Sequence, residues 1–183
     1  MQSFIVQTDH LHVASRLKRK DFTMNDIPSK LLGWAQMLIG EWDYQFRTAD
    51  DSDHPGATAS GTESVRAVGD YWLILENIGD SSDGTKSHSV TLIGYDPAKD
   101  RFSGAVAGTA VPTLFIYDGE PVERGRILIL ETEGPAMTEG RETDRYRDVF
   151  HVVDHDHRFT AAEVLQENGE WKEFMRTEFT RKP

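Results

Sequence analysis

From Gly40 onward the chain keeps a period of two. Trp42, Tyr44 and Phe46 alternate with Glu41, Asp43, Gln45 and Arg47, as in a strand with one buried face. Nine further strand-like segments follow, at about 58–68, 70–78, 87–95, 101–109, 112–118, 125–132, 143–153, 158–167 and 171–181. Turn residues separate them: Gly69-Asp70, Gly79 to Gly84, Asp96-Pro97, Asp118-Gly119, Gly134-Pro135, Asp154 to Asp156 and Asn168-Gly169. Only residues 28–39 have a helical period. There Leu31, Trp34, Ala35 and Leu38 form one apolar stripe, Pro28 suits the first turn, Asp26 or Ser29 can cap it, and Gly40 ends it. Short links and no second helix predict an all-β antiparallel meander of ten strands behind one short N-terminal helix. A sheet this wide curls readily, and closing it removes its exposed edges, so a barrel is expected, with a sandwich as the alternative.

Composition narrows what such a barrel can do. The 183 residues carry 20 Lys+Arg against 31 Asp+Glu, a net charge of −11, and no cysteine. Disulfides, zinc-thiolate sites and thiol nucleophiles are therefore excluded. Nucleic acid is disfavoured, because phosphate neutralisation needs clustered cations. No run approaches the roughly 20 apolar residues of a membrane-spanning helix, and a cytoplasmic location is expected, with no membrane partner. The charge is uneven: residues 1–23 are net +2 and residues 24–183 net −13. Residues 1–23 are expected to be a flexible extension, with 24–183 a single barrel domain and Met24 at the composition break a candidate translation start.

Four stretches in the body resemble the bacterial family known as domain of unknown function 1579. They are Gly61-Thr62-Glu63-Ser64-Val65-Arg66, Leu92-Ile93-Gly94-Tyr95-Asp96-Pro97, Glu131-Thr132-Glu133-Gly134-Pro135 with Met137, and Tyr146-Arg147-Asp148-Val149. The resemblance spans about residues 28–181. Gly40-Glu41-Trp42 after the short helix is also similar to the Gly-x-Trp start of the calycin barrels, the superfamily of lipocalins and fatty-acid-binding proteins. That likeness implies a calycin-like barrel in which Trp42 packs across the closed end beneath an arginine near the chain end. Arg181 occupies the matching place, and Arg176 is a second candidate. Neither resemblance brings a settled activity.

The residues themselves suggest a pocket. Several acids stand on strand faces that are otherwise apolar: Glu63 with Val65 and Ala67, Glu76 after Trp72 and Ile74, Glu131 after Ile127 and Ile129, and Glu163 among Phe159, Ala161 and Leu165. If those faces line the barrel, Glu63, Glu76, Glu131 and Glu163 converge with Trp42, Tyr44 and Thr177. A carboxylate in an apolar cavity is paired, hydrogen-bonded or partly protonated. The set could receive a cationic or hydrogen-bond-donating ligand, or supply a general acid. The alternative is that the glutamates reach solvent and pair with Arg66, Arg147 or Arg176, since one bulge inverts the faces.

Other chemistry is weakly supported. Asp154-His155-Asp156-His157 lies in a hairpin turn where polar residues are expected anyway, His10 and His12 lie in the extension, and no metal site is predicted. No cofactor is predicted. Haem is disfavoured, because nitrobindin, a related ten-stranded barrel family, ligates it through a histidine near the chain end and this sequence has none after His157. His151 or a tyrosine would be the remaining axial candidates. Nucleophile-elbow, zinc-protease and phosphate-loop motifs are missing. Pro112 is expected in a connection at one mouth, and Met137, in the loop from Glu133 to Arg141, as part of a lid. The leading expectation is a small, partly apolar molecule bound in the barrel interior. An acid–base enzyme of lyase, isomerase or hydrolase type is the second. A filled structural or interaction domain is the third, and a homodimer is compatible with any of them.

Overall fold

The computed structural model describes residues 29–49, 56–120, 126–137 and 139–183. The predicted extension 1–23, Met24, His10, His12, Asp26 and Pro28 lie outside the described residues. Helix α1 (Ser29–Leu38) precedes ten strands: β1 (Gly40–Thr48), β2 (Thr58–Val68), β3 (Trp72–Ser81), β4 (Lys86–Asp96), β5 (Arg101–Gly108), β6 (Val111–Glu120), β7 (Ile127–Pro135), β8 (Thr143–Val152), β9 (His157–Leu165) and β10 (Trp171–Arg181). Each strand pairs antiparallel with its sequence neighbour, and β1 pairs with β10, which closes the barrel. Among the described residues, α1 is the only helix, and it is not long and apolar enough to cross a membrane. Pro112 is the second residue of β6 rather than part of a connection. It sits just past the tight turn at Thr109-Ala110, at a strand start, where its missing N–H is tolerated.

Closure puts directly opposed residues on one face, so a single fixed side chain sets the rest. Trp42 is fully buried, and its partners are Arg181 on β10 and Glu63 on β2. From Glu63 the inward face passes to Asn77, and from Arg181's neighbour Phe179 it passes to Arg158. α1 lies at the end of the barrel where β1 starts. There Trp34 meets Phe102 and Phe150 edge-on at 6.0 and 6.1 Å, and Leu38, Tyr95 and Leu128 complete an apolar plug. Trp42 Nε1 donates to Leu38 O at 2.8 Å, so the helix C-terminus is tied directly to the first strand.

Arg181 ties the same corner from the other side of the closure. Its guanidinium stands over the Trp42 ring, 4.1 Å from the centroid. It also donates to Met37 O at 2.7 Å, Ile39 O at 2.8 Å and His155 O at 2.9 Å. The first two acceptors lie at the end of α1, where carbonyls lack intrahelical partners. Gly40 makes this approach possible: a Cβ there would stand 2.5 Å from Arg181 Nη1, and its φ of 134° disfavours any other residue. Arg176, the second candidate for this place, lies on the outer face instead, paired with Glu173 and stacked on Phe159.

One seam is incomplete. Between β6 and β7 the described pairs are Asp118–Glu131, Gly119–Leu130 and Glu120–Ile129, all toward the helix end. Beyond them, β6 from Val111 to Tyr117 and β7 from Thr132 to Pro135 run on without pairing to each other. The β6–β7 ladder is thus split from the mouth opposite α1 to about its middle, while the two strands stay in contact there through side chains such as Phe115 against Gly134.

Arg181→Ala should lower stability by about 2–4 kcal/mol, since it removes three charge-assisted hydrogen bonds and a cation–π contact at one corner. The melting temperature should fall by several degrees. Arg176→Ala, which removes a surface pair, should shift it by a degree or two at most.

Candidate functional site

The interior falls into three layers. The plug beneath α1 is dry and aromatic. Above it lies a polar layer. The half toward the opposite mouth is lined by inward-facing residues that keep partial access to solvent.

In the polar layer, Glu63 and Arg158 form an ion pair with both side chains 2% exposed, and Asn77 Nδ2 donates to Glu63 Oε1 at 3.1 Å. The Arg158 guanidinium lies over Phe179 at 3.7 Å and Trp42 at 4.6 Å from the ring centroids. Trp42 therefore has guanidinium contacts from both Arg158 and Arg181. Burial, with Arg181 nearby, pulls the Arg158 pKa down to about 9, which still leaves it charged at neutral pH. Its Nε–H has no acceptor among the described residues.

On another wall stands Asp148, on β8 between Leu130 of β7 and Ala162 of β9. The Tyr117 hydroxyl donates to its Oδ2, reaching across from β6. Burial raises the Asp148 carboxyl to about 6, only partly offset by that hydrogen bond. Burial, and then the charge of Asp148, push the Tyr117 hydroxyl well above its ordinary value. Among the described residues Asp148 has no cationic partner. Nearby, Thr132 Oγ1 is buried without a hydrogen-bond partner.

The open half is mainly apolar. Phe115 meets Tyr146 edge-on at 6.4 Å, and Tyr146 meets Phe174 at 5.8 Å, each contact spanning an intervening strand. Phe46, Val106, Phe115, Phe174, Met175 and Thr177 are all half-buried. Phe115 lies against Gly134, where a Cβ would come within 2.2 Å of its ring, so this stretch of the split needs glycine. Tyr146 closes the rim by donating to Pro135 O at 2.6 Å. Asp144 is buried beneath the loop after β7, accepting from Met137 N at 3.0 Å and from Arg141. Met137 itself is 63% exposed.

The glutamates inferred from strand alternation separate. Trp42, Tyr44, Glu63 and Thr177 share the inward face. Glu76, Glu131 and Glu163 do not. Glu76 binds His88 on the outer surface at 2.8 Å, Glu131 binds Arg145 at 2.6 Å, and Glu163 binds Arg147 at 2.5 Å. On β3 and β7 the reason is that both alternating sets are apolar. On β3 the inward set is Leu73, Leu75 and Asn77, on β7 it is Leu128, Leu130 and Thr132, and on β9 it is Arg158, Thr160, Ala162 and Val164. Trp72, Ile74, Ile127, Ile129 and Phe159 face out. Sequence reasoning passed over Asp148, Tyr117 and Arg158 as site residues. The pattern that singled out the glutamates also fits Asp148, which sits between Tyr146 and Phe150 on one face of β8.

The histidines make local contacts. His155 and His157 pair with Asp156 and Asp154 within their turn, and His151 packs on Phe159 at 4.9 Å. No group of three potential metal ligands comes together among the described residues. A groove lined by Asp43, Tyr44, Gln45, Ser60, Gly61, Thr62, Glu178 and Thr180 lies along β1, β2 and β10.

These features define a closed ten-stranded antiparallel barrel, sealed at one end by a helix. The chain belongs to the family described as protein of unknown function DUF1579, whose model matches residues 28–181. Among solved structures it is similar to the crystal structure of Rv2717c from M. tuberculosis, at 12% identity over 86% of this chain and 100% of that one, with a TM-score of 0.61. It is also similar to a de novo designed fluorescence-activating β-barrel, at 16% identity over 81% and 96% of the two chains, with a TM-score of 0.46. EF1p2_mFAP2b bound to DFHBI gives 13% identity over the same shares and the same TM-score. No curated protein matches.

Two substitutions probe the polar layer. Asp148 holds its proton to higher pH in the folded chain than in the unfolded one, so its ionisation disfavours folding as pH rises from about 4 to 6. Asp148→Asn should therefore stabilise the protein by roughly 2–3 kcal/mol at pH 8, and the gain should vanish near pH 4 in paired denaturant titrations. Glu63→Ala strands Arg158 without its counter-ion and should cost about 3–5 kcal/mol. Replacing both members by methionine should recover most of that loss.

Proposed function

We propose that this protein binds a small, partly apolar molecule in the open half of the barrel. The observation that carries the reading is the asymmetry of the interior. Inward-facing aromatic and aliphatic side chains are sealed from water beneath α1, yet at the other end the same kind of residue stays half-accessible. A chain that only needed a core would bury both halves. Ligand sites are mostly apolar concavities with a few placed polar groups, and Asp148, Tyr117, Thr132 and Asn77 are such groups here.

Acid–base catalysis on the bound molecule is the second reading. It is favoured by one observation, an interior carboxyl poised near neutral pH beside a tyrosine hydroxyl. Binding in the cytoplasm, without a resident cofactor, completes the proposal.

Nile red, a neutral apolar dye, should bind one per chain with micromolar affinity and a blue-shifted emission. Val106→Trp fills the open half and should weaken binding at least tenfold with little change in melting temperature. A filled barrel would give the opposite: no dye binding to the parent, and a loss of about 1–3 kcal/mol from overpacking in the variant.

A further inference from the structure

Asp148 is an interior acid with no counter-ion among the described residues. Of the described arginines, Arg158 is engaged with Glu63, Arg145 with Glu131, Arg147 with Glu163 and Trp171, and Arg181 with the end of α1. Tyr117 supplies one hydrogen bond to Oδ2, and no described residue donates to the other oxygen. An ionised carboxylate in such a place is costly unless something pairs with it. Around it, the Phe115–Tyr146–Phe174 ring series forms an aromatic wall whose faces favour positive charge.

We infer that the open half of the barrel takes an organic cation, a protonated or methylated amine, with Asp148 as its counter-ion and Tyr146, Phe115 and Phe174 as its aromatic walls. This rests on the interior-binding reading above and narrows it to a charge class. Thr132 Oγ1, buried without a partner beside the split, is placed to meet a polar substituent on the same ligand. The geometry disfavours anions, since Arg158 is already neutralised by Glu63, Arg181 is bound to the end of α1, and both lie toward the sealed end.

The groups facing Asp148 are few. Tyr117 comes from β6, Leu130 from β7, Ala162 from β9, and Tyr146 from its own strand. Asp144, nearer the mouth on β8, is held by Met137 N and Arg141. Glu63 and Arg158 cancel. Between pH 7 and 5 the charge that changes at this position is therefore that of Asp148.

The test compares benzyltrimethylammonium with neopentylbenzene, the isostere with carbon in place of nitrogen, as competitors of Nile red. The ammonium should displace the dye at least tenfold more effectively. Asp148→Asn should bring the two together, while Glu131→Gln, an outer-surface change, should leave the preference intact. In the unmodified protein, cation affinity should fall about tenfold from pH 7 to pH 5 while that of the isostere stays level, a measurement that does not depend on any variant folding. Dye binding with equal or better displacement by the hydrocarbon would overturn the charge assignment and leave the pocket standing. No dye binding at all would overturn both.

Discussion

Closure of the sheet depends on one corner. A ten-stranded meander becomes a barrel only if its first and last strands meet, and nothing in the hairpin connections enforces that. Here Trp42 on β1 and Arg181 on β10 are register partners, and the guanidinium that covers the indole also binds the carbonyls at the end of α1. One side chain thus joins the closing pair to the helix that plugs the barrel. The same indole takes Arg158 as a second cation neighbour and, through it, Glu63. The sealed end is therefore one connected unit of helix, closure seam and ion pair.

The two interior carboxylates show how differently a barrel can treat a buried charge. Glu63 has a guanidinium and an amide, so its position is fixed, and removing it would cost more than the pair contributes to stability. Among the described residues Asp148 has only a tyrosine hydroxyl. The first arrangement is a structural solution. The second leaves the carboxylate without a cation among the described residues, the requirement that the proposed ligand would meet.

Much of the architecture is legible in the sequence because strands and turns are local. The helix, the ten strands and the pairing order follow from period, turn residues and short links, and the bounds agree to within a few residues. The site is less legible because facing is not local. On β3 and β7 both alternating sets are apolar, Trp72-Ile74-Ile78 against Leu73-Leu75 and Ile127-Ile129 against Leu128-Leu130, so alternation alone does not say which set faces in. Only the cross-strand register, propagated from Trp42 through Glu63 to Asn77, decides it. Glu63 is legible for that reason: it stands directly opposite the tryptophan. Glu76, one residue before Asn77, lands outside. Bulges add a further break, as between Glu173 and Met175 on β10, where the intervening Phe174 comes to pack on the interior Tyr146. Arg158 is hidden for another reason: it directly follows a polar turn and looks like part of it.

The same division explains why the barrel can tolerate Asp148. Its desolvation works against folding, and the tightly packed end, with its plug, closure corner and satisfied ion pair, supplies the stability that offsets it. The β6–β7 ladder stops on the opposite half, after Asp118–Glu131, where Phe115, paired with Val106 of β5, leans its ring on Gly134 of β7. An unpaired segment of wall weakens that half, as an unpaired charge does. The unpaired seam falls in the half where inward-facing side chains remain accessible, and Asp148, in the polar layer beside Leu130, borders that half. A ligand that pairs with Asp148 and packs against the split would relieve both at once. Its binding energy would then come as much from completing this half of the barrel as from the contacts it makes.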